Sequence, residues 1–262
     1  MLKNKRHFEI MEILKRESFA EVRTLGERLY ASQPTIRRDL DFLEKQGYVK
    51  RSHGGAMLAD DKINTPVSFR KGTKAKEKAQ ICRLAATLIT PGSLIFTDAS
   101  TTASHLAAYI QKKDNVTVVT NGYPMCGLLA ENDIRVFSTG GKLLKNSMAF
   151  VGSQAEAAVK NYNADLLFFS SSSLDNNGII SDYSEEETAL RIAMHNGARK
   201  SVFLCDSAKF EKSSAFRAFS LADISYMVTD TQISDDLLKA FDLSLISTEN
   251  GAFLYERKIS LT

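Results

Sequence analysis

Ser32-Gln33-Pro34-Thr35-Ile36-Arg37-Arg38-Asp39-Leu40-Asp41-Phe42-Leu43-Glu44-Lys45-Gln46-Gly47 reads as one complete helix with a start, a buried face and an end. Ser32 is an N-cap residue whose hydroxyl can accept an orphan backbone N–H, and Pro34 falls in the first turn, where its missing N–H is harmless. Ile36, Leu40 and Leu43 share one face, so Arg37 and Arg38 project away from the core. Gly47 is a natural stop. Upstream, Phe8, Ile10, Met11, Ile13 and Leu14 recur at helical spacing between Lys5 and Glu17, and Val22, Leu25 and Leu29 mark a shorter second helix. Downstream, Tyr48-Val49-Lys50-Arg51 and then Ser52-His53-Gly54-Gly55 read as a short strand and a glycine turn. Three helices and a basic hairpin predict a winged helix-turn-helix over residues 1–56.

The charge distribution points to a polyanionic partner for this segment. Residues 1–55 carry 12 Lys+Arg against 8 Asp+Glu, a net of +4; residues 60–78 carry 6 against 3, a net of +3; residues 79–262 carry 16 against 20, a net of −4. The basic excess therefore lies wholly in the first 78 residues. A helix opening Ser-Gln-Pro-Thr can set its free N–H groups near phosphate. Ser32, Gln33, Thr35, Arg37 and Arg38 are thus candidate contacts to double-stranded operator DNA, joined by Lys50, Arg51 and His53 of the hairpin. A guanidinium either pairs with a guanine edge or grips phosphate, and both remain open for each arginine. A solvated Arg-Arg pair on a protein-docking domain is the other reading of the same residues.

At 262 residues the chain exceeds one average domain, which predicts a small module beside a larger one. With 44% hydrophobic and 25% charged residues, collagen-like and extended disordered classes are excluded. No apolar run approaches the ~20 residues of a membrane helix, and charge interrupts the N-terminal stretch, so a cytoplasmic protein with no membrane partner is expected. Cys82, Cys126 and Cys205 stand far apart without a CxxC pair, so no disulfide framework, metal or cofactor is expected.

Three stretches of the first segment are distinctive: Thr35-Ile36-Arg37-Arg38-Asp39-Leu40, Leu43-Glu44-Lys45-Gln46-Gly47 and Arg51-Ser52-His53-Gly54-Gly55-Ala56. Together they resemble the DeoR family of bacterial transcriptional regulators. The resemblance implies a winged helix-turn-helix ahead of a sugar-phosphate-sensing domain, and repression as the usual activity.

Residues 57–78 mix Asp, Lys, Asn, Thr, Pro66 and Gly72 without periodicity and read as a linker. Phe69-Arg70 and Glu77-Lys78 resemble the family's link between its domains. Lys71, Lys74, Lys76 and Lys78 read equally well as a solvated run or as direct DNA contacts. Over 79–262, apolar strands at 93–97, 116–120, 134–138, 164–169, 201–205, 225–229 and 243–247 alternate with helical segments at 102–112, 154–161, 186–196 and 235–241. That alternation predicts an α/β domain, Rossmann-like with a mainly parallel sheet, and the resemblance implies that it is effector-sensing.

Ligands of such sheets bind beyond the carboxyl ends of the strands. Those positions hold Asp98-Ala99-Ser100-Thr101-Thr102, Thr120-Asn121-Gly122, Thr139-Gly140-Gly141-Lys142, Ser170 to Ser173 and Asp206-Ser207-Ala208-Lys209. The set suits a polyhydroxylated anion. Ser100, Thr101 and Thr102 open a helix and offer a phosphate seat. Gly140 and Gly141 permit close backbone approach, Lys142 and Lys209 carry neutralising charge, and Asp98, Asn121 and Asp206 can bond sugar hydroxyls. Asp98 and Ser100 acting only as helix caps, and Gly140-Gly141 acting only as a turn, stay open beside these roles. The same motifs, with Gly152, Glu186-Glu187 and Asp206-Ser207-Ala208-Lys209-Phe210, resemble the DeoR sensor domain, whose fold is similar to that of sugar-phosphate isomerases. Two departures stand out: Ser100 replaces a usual glycine, and Ser170 to Ser173 replace a glycine-containing stretch.

Asp98, Asp206, Glu186 and Glu187 are all potential bases, so a sugar-phosphate isomerase-like enzyme with a regulatory DNA-binding head is the alternative. No catalytic residue is singled out: there is no Ser-His-Asp order, Cys-His pair or P-loop. With the resemblance, the expectation is a repressor of a carbohydrate-metabolism operon, relieved by a phosphorylated sugar effector and acting as a homo-oligomer on repeated half-sites.

Overall fold

The computed structural model describes residues 3–52, 54–59, 67–110 and 115–258; the candidate contact His53 lies outside them. The chain divides into two compact units, Met1–Thr73 and Lys74–Thr262.

The first unit runs α1 (Lys3–Glu17), β1 (Phe19–Glu21), α2 (Val22–Arg28), α3 (Gln33–Lys45), β2 (Val49–Ser52), β3 (Gly55–Leu58) and α4 (Val67–Arg70). The three predicted helices and the hairpin are present. Ile10, Met11, Leu14, Leu25, Ile36, Leu40 and Leu43 are fully buried, which is the stripe read from the sequence. β1 was not legible, because three residues between two helices carry no periodic signal; it joins an antiparallel sheet of order β1-β3-β2. Gly55 makes that pairing possible: a Cβ there would lie 2.4 Å from the Ala20 carbonyl oxygen.

The second unit begins with α5 (Ala75–Ala85), inside the stretch read as a linker, and continues with β4 (Leu94–Thr97). A 3-10 turn at Ala103–Leu106 then enters α6 (Ala107–Ile110), followed by β5 (Thr117–Thr120), α7 (Tyr123–Ala130) and β6 (Arg135–Ser138). Next come β7 (Lys142–Leu144), β8 (Ala149–Val151), α8 (Ser153–Val159), β9 (Ala164–Phe169), β10 (Ser173–Leu174), β11 (Ile179–Asp182) and α9 (Glu185–Asn196). The unit closes with β12 (Ala198–Cys205), β13 (Phe216–Ser220), β14 (Tyr226–Thr229), α10 (Asp235–Ala240), β15 (Leu243–Glu249) and β16 (Ala252–Arg257).

The main sheet has the order β15-β16-β14-β12-β9-β4-β5-β6. All pairs from β14 to β6 are parallel, and β16 and β15 close one edge antiparallel. Successive strand residues feed opposite layers: Ile95, Val118, Phe168 and Val202 pack in one core, Phe96, Val119, Phe169 and Phe203 in the other. Both faces are therefore covered, as a parallel sheet requires. The sequence reading also left out α5, β11, β13 and β16, and for the shortest missing strands and for α7 the reason is physical. β7, β8 and β10 are two or three residues long, and α7 contains Pro124 and Gly127 and lacks an apolar stripe. Among the described residues no helix is long and apolar enough to cross a membrane.

Candidate functional site

In the first unit Ser32 caps α3, its Oγ accepting from the Thr35 N–H at 3.4 Å and lying 2.8 Å from Thr35 Oγ1. Gln33, Arg37 and Arg38 on α3 and Lys50 on β2 are exposed. Arg51 differs from them. Its guanidinium binds the Asp41 carboxylate and reaches the Arg37 carbonyl at 3.5 Å, while its N–H donates to Glu44 Oε1 at 2.8 Å. It fastens the hairpin to α3, a positioning contact the sequence reading did not separate from direct recognition.

Asp39 is a positioning residue that the reading missed. It faces inward, and its carboxylate accepts from Arg6 Nε at 2.5 Å and Nη2 at 3.1 Å and lies 2.8 Å from His7 Nε2. Two residues of α1 thus fix the rotation of α3. Burial lowers the His7 pKa, outweighing the pull of Asp39 in the other direction.

In the second unit the chain lays down β4, β5 and β6 in one direction and then returns to β9 on the other side of β4. The carboxyl ends of β4 and β9 therefore bound the topological switch point, where open α/β sheets have a crevice. Asp98 follows β4 and Ser170 follows β9. Asp98 Oδ1 accepts from the Ser100 N–H at 3.1 Å; Oδ2 accepts from the Ser170 N–H and from Arg191 Nε, both at 3.1 Å. Arg191, from α9, is 4% exposed and lies 3.2 Å from Asp182 Oδ2. Burial opposes its charge, yet Asp182, Asp98 and Glu187 outweigh that and raise its pKa. The Ser172 hydroxyl donates to Asp182 Oδ1 at 2.8 Å, and that of Ser171 donates to the Ser181 carbonyl at 2.6 Å beside Asp182. The serines standing where the family usually has glycine are thus built into a buried polar network.

Beside this network three ammonium groups gather. Lys209 Nζ donates to Thr102 Oγ1 at 3.2 Å and to Ser170 Oγ at 2.5 Å, and sits 3.4 Å from Asp206 Oδ2. Lys78 Nζ donates to Thr101 Oγ1 at 3.2 Å from a residue only 4% exposed. Lys74 Nζ reaches Asp230 Oδ2 at 3.2 Å and also bonds the Ser207 hydroxyl. Burial pushes the Asp206 carboxyl up, but Lys209, Lys78 and Lys74 together outweigh it and hold the carboxyl below its ordinary value. Lys74 and Lys78 are therefore not a solvated run. Lys78 lies on one face of α5 with Ile81, Cys82 and Ala85, at i, i+3, i+4 and i+7, and a lysine inside an apolar stripe was the signal that could have found it. Arg191, between buried Thr188 and Met194 on α9, carries the same signal.

Contacts thus join Asp98, Ser100, Thr102, Asp206 and Lys209 through Ser170, Thr101 bonds Lys78, and the other predicted residues have separate partners. Ser100 Oγ also accepts from the Ala103 N–H at 3.1 Å, so it caps the following turn as one reading allowed. Asn121 Nδ2 donates to the Phe150 carbonyl at 3.0 Å. Gly141 adopts φ +102°, and a Cβ there would lie 2.6 Å from the Val151 carbonyl oxygen, so its glycine requirement comes from β8. Gly140 precedes it at φ +62°, and exposed Lys142 pairs with Glu186 at 3.1 Å.

The model of the DeoR-like helix-turn-helix domain matches residues 6–62, and that of the DeoR C terminal sensor domain matches residues 73–231. The chain is 29% identical to the glycerol-3-phosphate regulon repressor of Escherichia coli K12, across 88% of this chain and 92% of that one. It is 30% identical to the transcriptional repressor AccR of Agrobacterium fabrum, across 86% and 89%. Among solved structures it is similar to ribose 5-phosphate isomerase A from Methanocaldococcus jannaschii, with a TM-score of 0.41 and 13% identity over 72% of this chain and 82% of that one. On the two domain matches, which together span most of its length, the chain belongs to the DeoR family of transcriptional regulators.

Proposed function

We propose that this chain is a repressor that binds operator DNA through its first unit and is released when a phosphorylated sugar occupies the lysine-lined end of the sheet in its second. The observation that carries the reading is the convergence of Lys74, Lys78 and Lys209 on Thr101, Thr102, Ser170 and Ser207 at the switch point. Ammonium groups and hydroxyls of this kind bind a phosphate dianion by charge-assisted hydrogen bonds. Relatives named as a glycerol-3-phosphate regulon repressor and as a transcriptional repressor support both halves.

Binding rather than catalysis fits the carboxylates. A general base works best with a pKa near the operating pH. Asp206 is held below its ordinary value, and both oxygens of Asp98 already accept hydrogen bonds. Burial pushes the Cys82 and Cys205 thiols far up, so neither supplies a thiolate.

For DNA, exposed Gln33, Arg37, Arg38 and Lys50 are the proposed contacts, with Arg51 holding the hairpin against α3. One head is small, so two copies reading half-sites about one helical turn or a multiple apart complete the proposal. The test is titration of a panel of phosphorylated sugars against the protein bound to a labelled fragment of its own upstream DNA, each mixture being assayed for product. Release by one unconverted sugar phosphate is expected, with Arg37→Ala or Arg38→Ala weakening DNA binding by about 1–3 kcal/mol where a base contact is lost. Turnover of the sugar with DNA affinity unchanged would overturn the reading.

A further inference from the structure

Lys74 stands apart from the other two lysines of the cluster by its place in the chain. It is the first residue of the second unit, directly after Thr73, the last of the first. Its backbone is left-handed, φ 50° and ψ 39°, a conformation that side chains other than glycine adopt at a cost. At the N-cap of α5 its side chain makes no capping bond and reaches instead to Asp230 and Ser207.

Those partners are themselves fixed. Asp230 follows β14, is nearly buried, and accepts from the Ser207 N–H at 2.6 Å and the Ser207 hydroxyl at 2.9 Å. Lys78 lies one helical turn further along α5, its N–H donating to the Lys74 carbonyl at 2.9 Å. Lys74 and Lys78 therefore share a helix face, and with Lys209, which lies 3.4 Å from Asp206 Oδ2, they act electrostatically on the Asp206 carboxylate. An arriving phosphate dianion competes directly with Asp230 for the Lys74 ammonium.

We propose that Lys74 is the third cation of the anion site and the residue through which occupancy reaches the Thr73–Lys74 junction. The phosphate draws the Lys74 ammonium from Asp230, and the first turn of α5 and the strained junction move with it. The inference rests on the phosphorylated-ligand reading of this site. It also explains why a lysine occupies a left-handed position that glycine or asparagine would fill at less cost.

The test uses the full chain with inorganic phosphate and a panel of three- to six-carbon sugar phosphates as probes. Binding is measured calorimetrically, and DNA affinity by anisotropy of the labelled upstream fragment, for wild type, Lys74→Asn, Asp230→Asn and Lys209→Met. Asparagine tolerates the left-handed backbone, so Lys74→Asn removes charge without new strain, and circular dichroism checks its fold. Lys74→Asn is expected to bind the probe, more weakly, while the ligand-induced change in DNA affinity collapses toward one from the roughly 5- to 150-fold typical of coupled sites. Asp230→Asn releases the ammonium and is expected to bind the probe several-fold more tightly. A full DNA response from Lys74→Asn at saturating probe, or no gain in Asp230→Asn, overturns the role of Lys74 alone. Unchanged probe affinity in Lys209→Met, or no response of wild type to any probe, overturns the site itself and this inference with it.

Discussion

Replacing Arg191 with methionine keeps the length and apolar stem of the side chain and removes the guanidinium from between Asp98 and Asp182. Arg191 and Asp98 are each 4% exposed and Asp182 is no more than slightly wetter, so the two carboxylates are left buried without their cation. Breaking a buried ion pair from one side costs about 3–5 kcal/mol, because the remaining charge is stranded rather than returned to water. In a unit of this size each kcal/mol lowers the thermal midpoint by roughly 2–4 °C, so a drop of about 6–20 °C is expected. Scanning calorimetry of the full chain reads it, with the first unit's transition as internal reference. The stronger check is the sign of a second substitution. Asp182→Asn alone removes a partner of Arg191 and should destabilise; in the Arg191→Met background it removes a stranded charge and should recover about 1–3 kcal/mol. If the two deficits simply add, or if Arg191→Met costs under about 1 kcal/mol, the reasoning fails.

Two further predictions concern the first unit. Asp39→Ala leaves Arg6 and His7 without the carboxylate that binds them to α3, at a cost of about 3 kcal/mol, the low end for buried pairs because Arg6 keeps some water access. A module of about 70 residues holds only about 3–5 kcal/mol in all, so its transition should fall steeply and its DNA binding weaken at 37 °C while the second unit melts unchanged; an unshifted first transition refutes this. Burial lowers the folded-state pKa of His7 below 6.5, so the unfolded state takes up the proton first as pH falls. Stability from this group is therefore full above about pH 6.5 and is lost as pH drops toward the lower folded value. Calorimetry between pH 7.5 and 5.5 should show the first transition falling, with a flatter slope in His7→Gln.

Local rules written in consecutive residues determined much of this protein from sequence alone. Cap, proline, apolar stripe and glycine stop fixed α3 to within a residue, and short apolar runs between amphipathic segments gave the parallel strands and hence the end of the sheet where the proposed site lies. Motif resemblance added the family. Only the tertiary structure decided which charged residues act together, because their partners lie 30 to more than 150 positions apart and burial is a property of the assembled layers. Asp39 closing on Arg6 and His7, Arg191 on Asp98, and Lys74 on Asp230 are such pairs. It likewise separated Gly141, required by a neighbouring strand, from a glycine required by a ligand, and moved Lys74 and Lys78 from a basic linker into hydrogen bonds with Asp230 and Thr101. A lysine's sequence neighbours set its helix face, but the strand ends that the fold brings beneath it set its charge environment and so its chemistry.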